Sequence, residues 1–152
     1  MSYQNNYRNN KPSYNQVPTL SRDFVVKGFT ELREELMLNE ARDIAKVFTD
    51  SKLSNSQLRA FFNEIKALQN KINKDEKLFE QNYPFILMLK SKAEYKYRNG
   101  QGAKITKPFR DFINESIDYI KDNKSVKTFD NFCILFETIV GYYYGFGGEK
   151  LR

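Results

Sequence analysis

Apolar residues recur every three or four positions along most of the chain, the spacing expected for one buried face of an α-helix. The stretch LSNSQLRAFFNEI, residues 53–65, shows the pattern well. Its apolar stripe begins after Ser54, and Gln57 lies three residues further on, which fits a capping box. Because the stripe continues to Ile72, the pattern predicts a helix from Ser54 to about residue 74.

Two neighbouring segments carry the same spacing. A first helix is predicted over residues 29–48, because Gly28 disfavours an earlier start. After the linker NKDEKLFEQN, a third helix is predicted over residues 84–99. It is expected to begin near Pro84, a residue that suits the first turn, with Asn82 as its cap.

Two more helices are predicted in the C-terminal third. The fourth covers residues 108–122, and the fifth begins at Ser125 or Thr128 and ends before GFGG. The fifth has the widest apolar face, which is typical of a central helix. That face consists of Phe129, Phe132, Cys133, Phe136, Ile139, Val140 and Tyr143.

No stretch alternates apolar and polar residues as a half-buried strand does. We therefore predict an all-α protein, a single five-helix bundle over residues 21–152. Residues 1–20 are rich in Asn, Tyr, Gln and Ser and have few aliphatic side chains. We expect this low-complexity segment to be a disordered tail.

The composition argues against catalysis. The chain has no histidine, and its single cysteine, Cys133, lies in an apolar run where a buried, inert thiol is expected. No set of residues resembles a nucleophile with its base or a metal site, so we expect no catalytic residue, metal or cofactor. Without a signal-peptide pattern or a run of 18 apolar residues, a cytoplasmic protein is expected.

Positive charge is concentrated in one part of the chain. The net charge is +6, and residues 83–110 hold seven lysines and arginines against a lone Glu94. This segment alone carries +6, so the remainder is close to neutral. Such a concentration is expected for a nucleic-acid partner, but a basic helix also serves solubility.

The third helix combines these charges with aromatic residues in LKSKAEYKYRNG. Lys92 and Lys96 are four residues apart and share a face, and Tyr95 and Arg98 are three apart on an adjoining face. Lysine and arginine bind phosphates, and tyrosine can stack on a base or hydrogen-bond to a phosphate. From the residues alone, an RNA-binding face and an ordinary solvated face are equally well supported.

Three motifs, taken in order, resemble one known family. They are SNSQLRAFFNEI at residues 54–65, LKSKAEYKYR at 89–98 and FDNFCILFETIVGYYYGFGG at 129–148. Together they resemble the small helical subunit of the type III-A (Csm) CRISPR interference complex, an antiviral ribonucleoprotein. The resemblance covers about residues 40–148.

The resemblance implies a five-helix bundle without catalytic activity. In that family, copies of the subunit stack along the backbone subunits, line the channel where guide RNA pairs with target RNA, and contact the target-strand backbone. Target RNA is cut by the repeated backbone subunit, whereas the large subunit cleaves DNA and synthesises cyclic oligoadenylate. The implied partners are therefore both RNAs, the backbone and large subunits, and further copies of the chain.

The RNA-binding positions implied by the resemblance come from the second and third helices. They are Arg59, Lys92 and Arg98 with Tyr95 beside them, and Lys90 and Lys96 flank them. We expect the two helices to lay these cations side by side. A helical protein–protein adaptor, whose basic face docks on an acidic partner, is the alternative.

The closing helix departs from the family pattern. Relatives often carry a histidine after the tyrosine where this chain reads Tyr142-Tyr143-Tyr144. A contact made by that histidine is therefore either taken over by a tyrosine or absent.

Overall fold

The computed structural model describes residues 27–151 and shows five α-helices. They are α1 (Ala41–Asp50), α2 (Asn55–Ile72), α3 (Glu76–Tyr97), α4 (Lys107–Asp122) and α5 (Val126–Gly145). A π-helical segment, Leu36–Glu40, precedes α1, and short 3₁₀ turns follow α3 and α5. The described part contains no strand, which confirms the predicted all-α five-helix fold. The predicted tail over residues 1–20 and the boundary at residue 21 lie outside the described residues.

Polar caps define where three of the helices begin. The Ser54 hydroxyl accepts a hydrogen bond from the backbone N–H of Gln57 at 3.3 Å, and Ser125 accepts one from Thr128 at 3.0 Å. Both starts agree with the predicted signals. The capping box is only half formed, because the buried Oε1 of Gln57 has no hydrogen-bond partner in the described part of the chain.

The predicted start of α3 at Pro84 is wrong. The helix begins at Glu76, where Asp75 caps it by accepting a hydrogen bond from the N–H of Leu78 at 2.9 Å, and Pro84 lies inside it. Asn82 is not the cap; it is buried and donates to the carbonyl of Leu78. Proline removes one helical hydrogen bond, but the cap and the packing of the first turns outweigh this loss.

That packing is provided by Phe79, which is 2% exposed. Its ring centroid lies 5.6 Å from that of Tyr83 on the next turn and 6.3 Å from that of Phe129 on α5. The contact with Phe129 exists only in the folded bundle, so the sequence of residues 73–82, taken alone, has the features of a linker.

The predicted first helix also begins later than expected, because residues 28–33 are not helical. Phe29 is buried, with its ring centroid 4.5 Å from that of Tyr119 on α4. Asn131 on α5 donates hydrogen bonds to the carbonyls of Phe29 and Thr30, at 3.1 and 3.0 Å. Gly28 has a φ of +62°, and a Cβ there would overlap the Tyr119 ring. Contacts from α4 and α5 thus hold this segment in a non-helical conformation.

Helix α5 is the central helix of the bundle, as its wide apolar face predicts. Its side chains Phe129, Phe132, Leu135, Phe136 and Ile139 are at most 1% exposed. The rings of Phe132 and Phe136 stack at 6.0 Å, and Phe112 of α4 lies 5.8 Å from Phe136. Much of the core is therefore aromatic, with buried rings from all five helices.

Hydrogen bonds join the end of the described chain to the start of α2. The backbone N–H of Asn55 donates to the carboxylate of Glu149 at 3.1 Å, and the N–H of Glu149 donates to the side-chain oxygen of Asn55 at 3.0 Å. The Tyr143 hydroxyl lies 2.8 Å from the same Asn55 oxygen and 2.6 Å from the carbonyl of Leu53. We call the Asn55–Glu149 pair the terminal clasp.

Candidate functional site

Arg59 lies on the side of α2 that faces α5. It is exposed, and its Nη2 donates a hydrogen bond to the Tyr144 hydroxyl at 3.1 Å. Its Cζ is 5.5 Å from the Tyr144 ring centroid, so the guanidinium lies at the hydroxyl end of the ring. Among the described residues no carboxylate pairs with Arg59, and a phenol does not neutralise it. Arg59 therefore keeps an uncompensated positive charge at the surface.

Lys92 and Lys90 contact opposite neighbours of α3. Lys92 forms an ion pair with Glu64 of α2, and the Lys90 Nζ lies 2.6 Å from a carboxylate oxygen of Asp118 on α4. Residues two positions apart on a helix differ by roughly 200° of rotation, which explains why the two side chains point in opposite directions. Both lysines are thus paired at the surface with carboxylates of neighbouring helices.

The C-terminal end of α3 carries unpaired cations beside an exposed aromatic ring. Tyr95 is 67% exposed, and the Arg98 guanidinium lies 5.2 Å from its ring centroid. The N–H of Lys104 donates to the carbonyl of Lys96 at 2.8 Å, which places these two residues next to each other. We call Lys96, Arg98 and Lys104 the α3-terminal cluster. Within the described chain none of the three forms an ion pair.

The C-terminus of α3 stabilises the positive charges of this cluster. Unpaired carbonyls at the C-terminus of a helix carry partial negative charge, which stabilises nearby cations. Arg98 and Asn99 both adopt left-handed conformations, with φ of 54° and 53°, and this turns the following loop back along the helix. Lys104 is a binding candidate that the sequence motifs missed. The sequence feature that could have identified Lys104 is its position in the basic loop directly after α3.

The predicted cations do not form one row. The Lys92–Glu64 pair shows which side of α2 faces α3, and Arg59 precedes Glu64 by five residues. This separation is roughly 140° around α2 and roughly 7.5 Å along it. Arg59 therefore faces α5, away from Lys92. Because α2 and α3 run antiparallel, Arg59 and Arg98 still lie at the same end of this helix pair.

A family model, Csm2 Type III-A, matches residues 31–149, which include all five helices and every residue of the candidate site. The chain belongs to the Csm2 type III-A family. It is accordingly a small subunit of the type III-A Csm complex, as the three sequence motifs predicted. None of the curated proteins and none of the solved structures matches the chain significantly.

In this Csm2 subunit, carboxylates of α2, α3 and α4 neutralise much of the basic segment. Lys107 pairs with Asp111 at 2.9 Å, and Arg110 pairs with Asp111 at 2.8 Å and Glu94 at 3.1 Å. A hydrogen bond from Asn114, together with Arg110, lowers the pKa of Glu94. Of the seven cations in residues 83–110, only the α3-terminal cluster has no carboxylate partner in the described structure.

The three consecutive tyrosines of α5 have different environments. Tyr143 is fully buried and holds the start of α2 through its hydroxyl, so its role is structural. Tyr144 is 36% exposed and contacts Arg59. Tyr142 is partly buried against the core. Of the three, Tyr144 belongs to the candidate site, and the sequence motifs did not single it out.

The described residues contain no group of three His, Cys, Asp or Glu side chains that could hold a metal ion. Cys133 is 3% exposed, and burial raises the pKa of its thiol, which fits the predicted inert thiol. No helix in the described chain is long and apolar enough to span a membrane.

Proposed function

We propose that this small subunit binds RNA without catalysing a reaction, through cations that have no carboxylate partner. In the proposed cytoplasmic complex it lines the channel that holds guide and target RNA, next to the backbone and large subunits and further copies of itself. Arg59 and the α3-terminal cluster, with Tyr95, contact the target-strand backbone. The observation that carries the proposal is the α3-terminal cluster beside an exposed tyrosine, in a chain of this family.

Lys92 and Lys90 are proposed to be secondary contacts. Their side chains are 44% and 43% exposed, and exposed ion pairs contribute less than about 1 kcal/mol. A phosphate carries a full negative charge and can replace Glu64 or Asp118 as the partner. These two lysines would then join the interface only when RNA is present.

The salt dependence of RNA binding tests this assignment. Each phosphate contact on a single strand adds about −0.7 to the slope of log K against log salt concentration. Four cations therefore give a slope of about −2 to −3. Replacing Lys96 and Arg98 by alanine should make the slope shallower by about 1.4 units, for any RNA sequence. The measurement is fluorescence anisotropy with a labelled single-stranded RNA at several salt concentrations.

A matched control removes the same charge elsewhere. Lys46 and Lys124 pair with Asp50 and Glu80, at 2.7 and 3.2 Å, and neither belongs to the α3-terminal cluster. The K46A/K124A double variant should leave the slope close to that of the wild type. Equal slopes for the wild type and K96A/R98A, with unchanged helicity by circular dichroism, would remove the cluster from the interface.

A protein partner is the second candidate function, because α3 also exposes apolar side chains. Phe85, Leu87 and Met88 are 50%, 37% and 49% exposed. Large exposed apolar groups are typical of protein interfaces. An adaptor that used only these contacts would not bind RNA as an isolated chain. Anisotropy titration of the isolated chain with a labelled single-stranded RNA separates the two functions.

A further inference from the structure

A groove of about 180 Å³ lies between α2 and α5, lined by Arg59, Phe62, Asn63, Val140 and Tyr144. We propose that it binds one nucleotide of a single-stranded RNA, with the phosphate on Arg59 and the base between Tyr144 and Asn63. This inference rests on the proposed RNA-binding function and adds to it a contact with a base. The α3-terminal cluster, in contrast, is expected to contact the sugar-phosphate backbone.

The chemistry of the lining fits an anionic aromatic ligand. Arg59 supplies the charge, and the hydrogen bond from Arg59 to the Tyr144 hydroxyl fixes the guanidinium at the edge of the groove. The Tyr144 ring is held in turn by Tyr143, at 5.2 Å between centroids in an edge-to-face arrangement. A cation and an aromatic ring in fixed relative positions match the phosphate and base of one nucleotide.

Asn63 adds hydrogen-bonding capacity to the same groove. It is exposed, and within the described chain its amide makes no hydrogen bond. An amide offers both donors and an acceptor, so it can pair with the edge of a base. Because the amide can turn either way, we expect a contact with every base and only a weak preference among them.

A second groove, between α2 and α3, is larger but fits RNA less well. It measures about 280 Å³ and is lined by Glu64, Ala67, Leu68, Lys71, Phe85, Met88 and Lys92. Its carboxylate, Glu64, would repel a phosphate and is already paired with Lys92. The lining of the α2–α5 groove contains no carboxylate, which favours it as the nucleotide site.

Gly141 leaves open space near this groove, although it is not one of the residues that line it. It lies inside α5, one turn before Tyr144, and a Cβ at this position would meet nothing within 4 Å. Glycine in a helix interior is less stable than alanine, and no packing in the described structure requires it here. A ligand lying against Tyr144 would pass close to the helix backbone at this position.

The test compares two RNAs with identical phosphates, one with bases and one abasic, binding to the full chain. Base stacking on an aromatic side chain changes affinity by about tenfold per base. The wild type should therefore prefer the RNA with bases. Tyr144→Leu should reduce this preference about tenfold. The preference is a ratio of two affinities, so a loss of phosphate contact common to both RNAs does not change it. Gly141→Leu should also weaken binding of the RNA with bases, and Asn70→Leu, at the far exposed end of α2, should not.

Two further variants separate the possible outcomes. Tyr95 can also stack on a base, so Y95L is measured in parallel. If the preference for the RNA with bases is lost in Y95L and retained in Y144L, the proposed nucleotide site is overturned. K96A/R98A should flatten the salt slope for both RNAs and keep the preference for bases. A wild type that binds both RNAs equally overturns the inference and leaves the proposed function intact. Failure to bind either RNA overturns both.

Discussion

Glu64 controls how much of the charge of Lys92 is available. The carboxylate comes from α2 and pairs with Lys92 of α3, so it fixes the lysine and neutralises it at once. Exposed pairs of this kind add little to stability. Their larger effect here is on binding, because Glu64 repels any phosphate that approaches Lys92.

The variant Glu64→Gln should bind RNA several-fold more tightly, because Lys92 then contacts a phosphate without first losing its carboxylate partner. The free energy of unfolding should change by less than about 1 kcal/mol, as is usual for an exposed pair. Anisotropy titrations and urea denaturation measure the two effects. Glu80→Gln, which frees Lys124 instead, is the control; an equal gain there would indicate a general effect of net charge.

At the residue scale, the sequence identified cations but not their partners. Lys92 and Glu64 are 28 residues apart, and so are Lys90 and Asp118. No local pattern reveals such pairs, because helix packing creates them. For the same reason Tyr144, which is 85 residues from Arg59, could not be assigned to the site from the motifs.

At the scale of elements, local signals gave the correct helix starts after Ser54 and Ser125 but not after Asp75. All three caps accept a hydrogen bond from the residue three positions further on. The prediction was wrong where a long-range contact decided the outcome. Phe79 extends α3 by packing on Phe129, and Asn131 holds Phe29 out of α1.

The start of α3 can be tested by a pair of substitutions. Asp75→Ala should lower the free energy of unfolding by about 1 kcal/mol, because it removes the cap. Pro84→Ala should raise it by about 1–3 kcal/mol, because alanine restores a backbone N–H inside the helix. Chemical denaturation followed by circular dichroism measures both. If α3 began at Pro84, Asp75→Ala would have no effect and Pro84→Ala would not stabilise the protein.

At the scale of the whole molecule, the core makes stability depend on pH through Cys133. Burial raises the pKa of this thiol far above its ordinary value of 9.0. Below that value the thiol is protonated in both states, so it contributes no pH dependence. Above it, the unfolded chain releases a proton that the folded chain retains, and stability must fall as the pH rises.

The expected loss is about 1.4 kcal/mol per pH unit above pH 9.0 from this group. Cys133→Ala should lack this component, although its stability at neutral pH is lower because of the cavity it leaves. Urea denaturation of both proteins at several alkaline pH values measures the difference. If the free energy of unfolding changed with pH in the same way in both proteins, the thiol would ionise as easily in the folded protein as in the unfolded chain.

The class and family of the whole molecule were accessible from the sequence, because helical periodicity and the three motifs do not depend on knowing the packing. The arrangement of the site could not be predicted from the sequence. The expected single row of cations became two patches, since Arg59 and Glu64 lie on different sides of α2. Periodicity places residues around one helix, but it does not show which neighbour each side meets.

The terminal clasp has a practical consequence for experiments on this protein. It joins Glu149 to Asn55, which is one helical turn from Arg59, so the last described residues lie close to the α2–α5 groove. A small fluorophore attached just after Glu149 would sit near enough to sense occupancy of the groove. A bulky fusion at the same place would crowd the groove and distort the affinities it was meant to help measure.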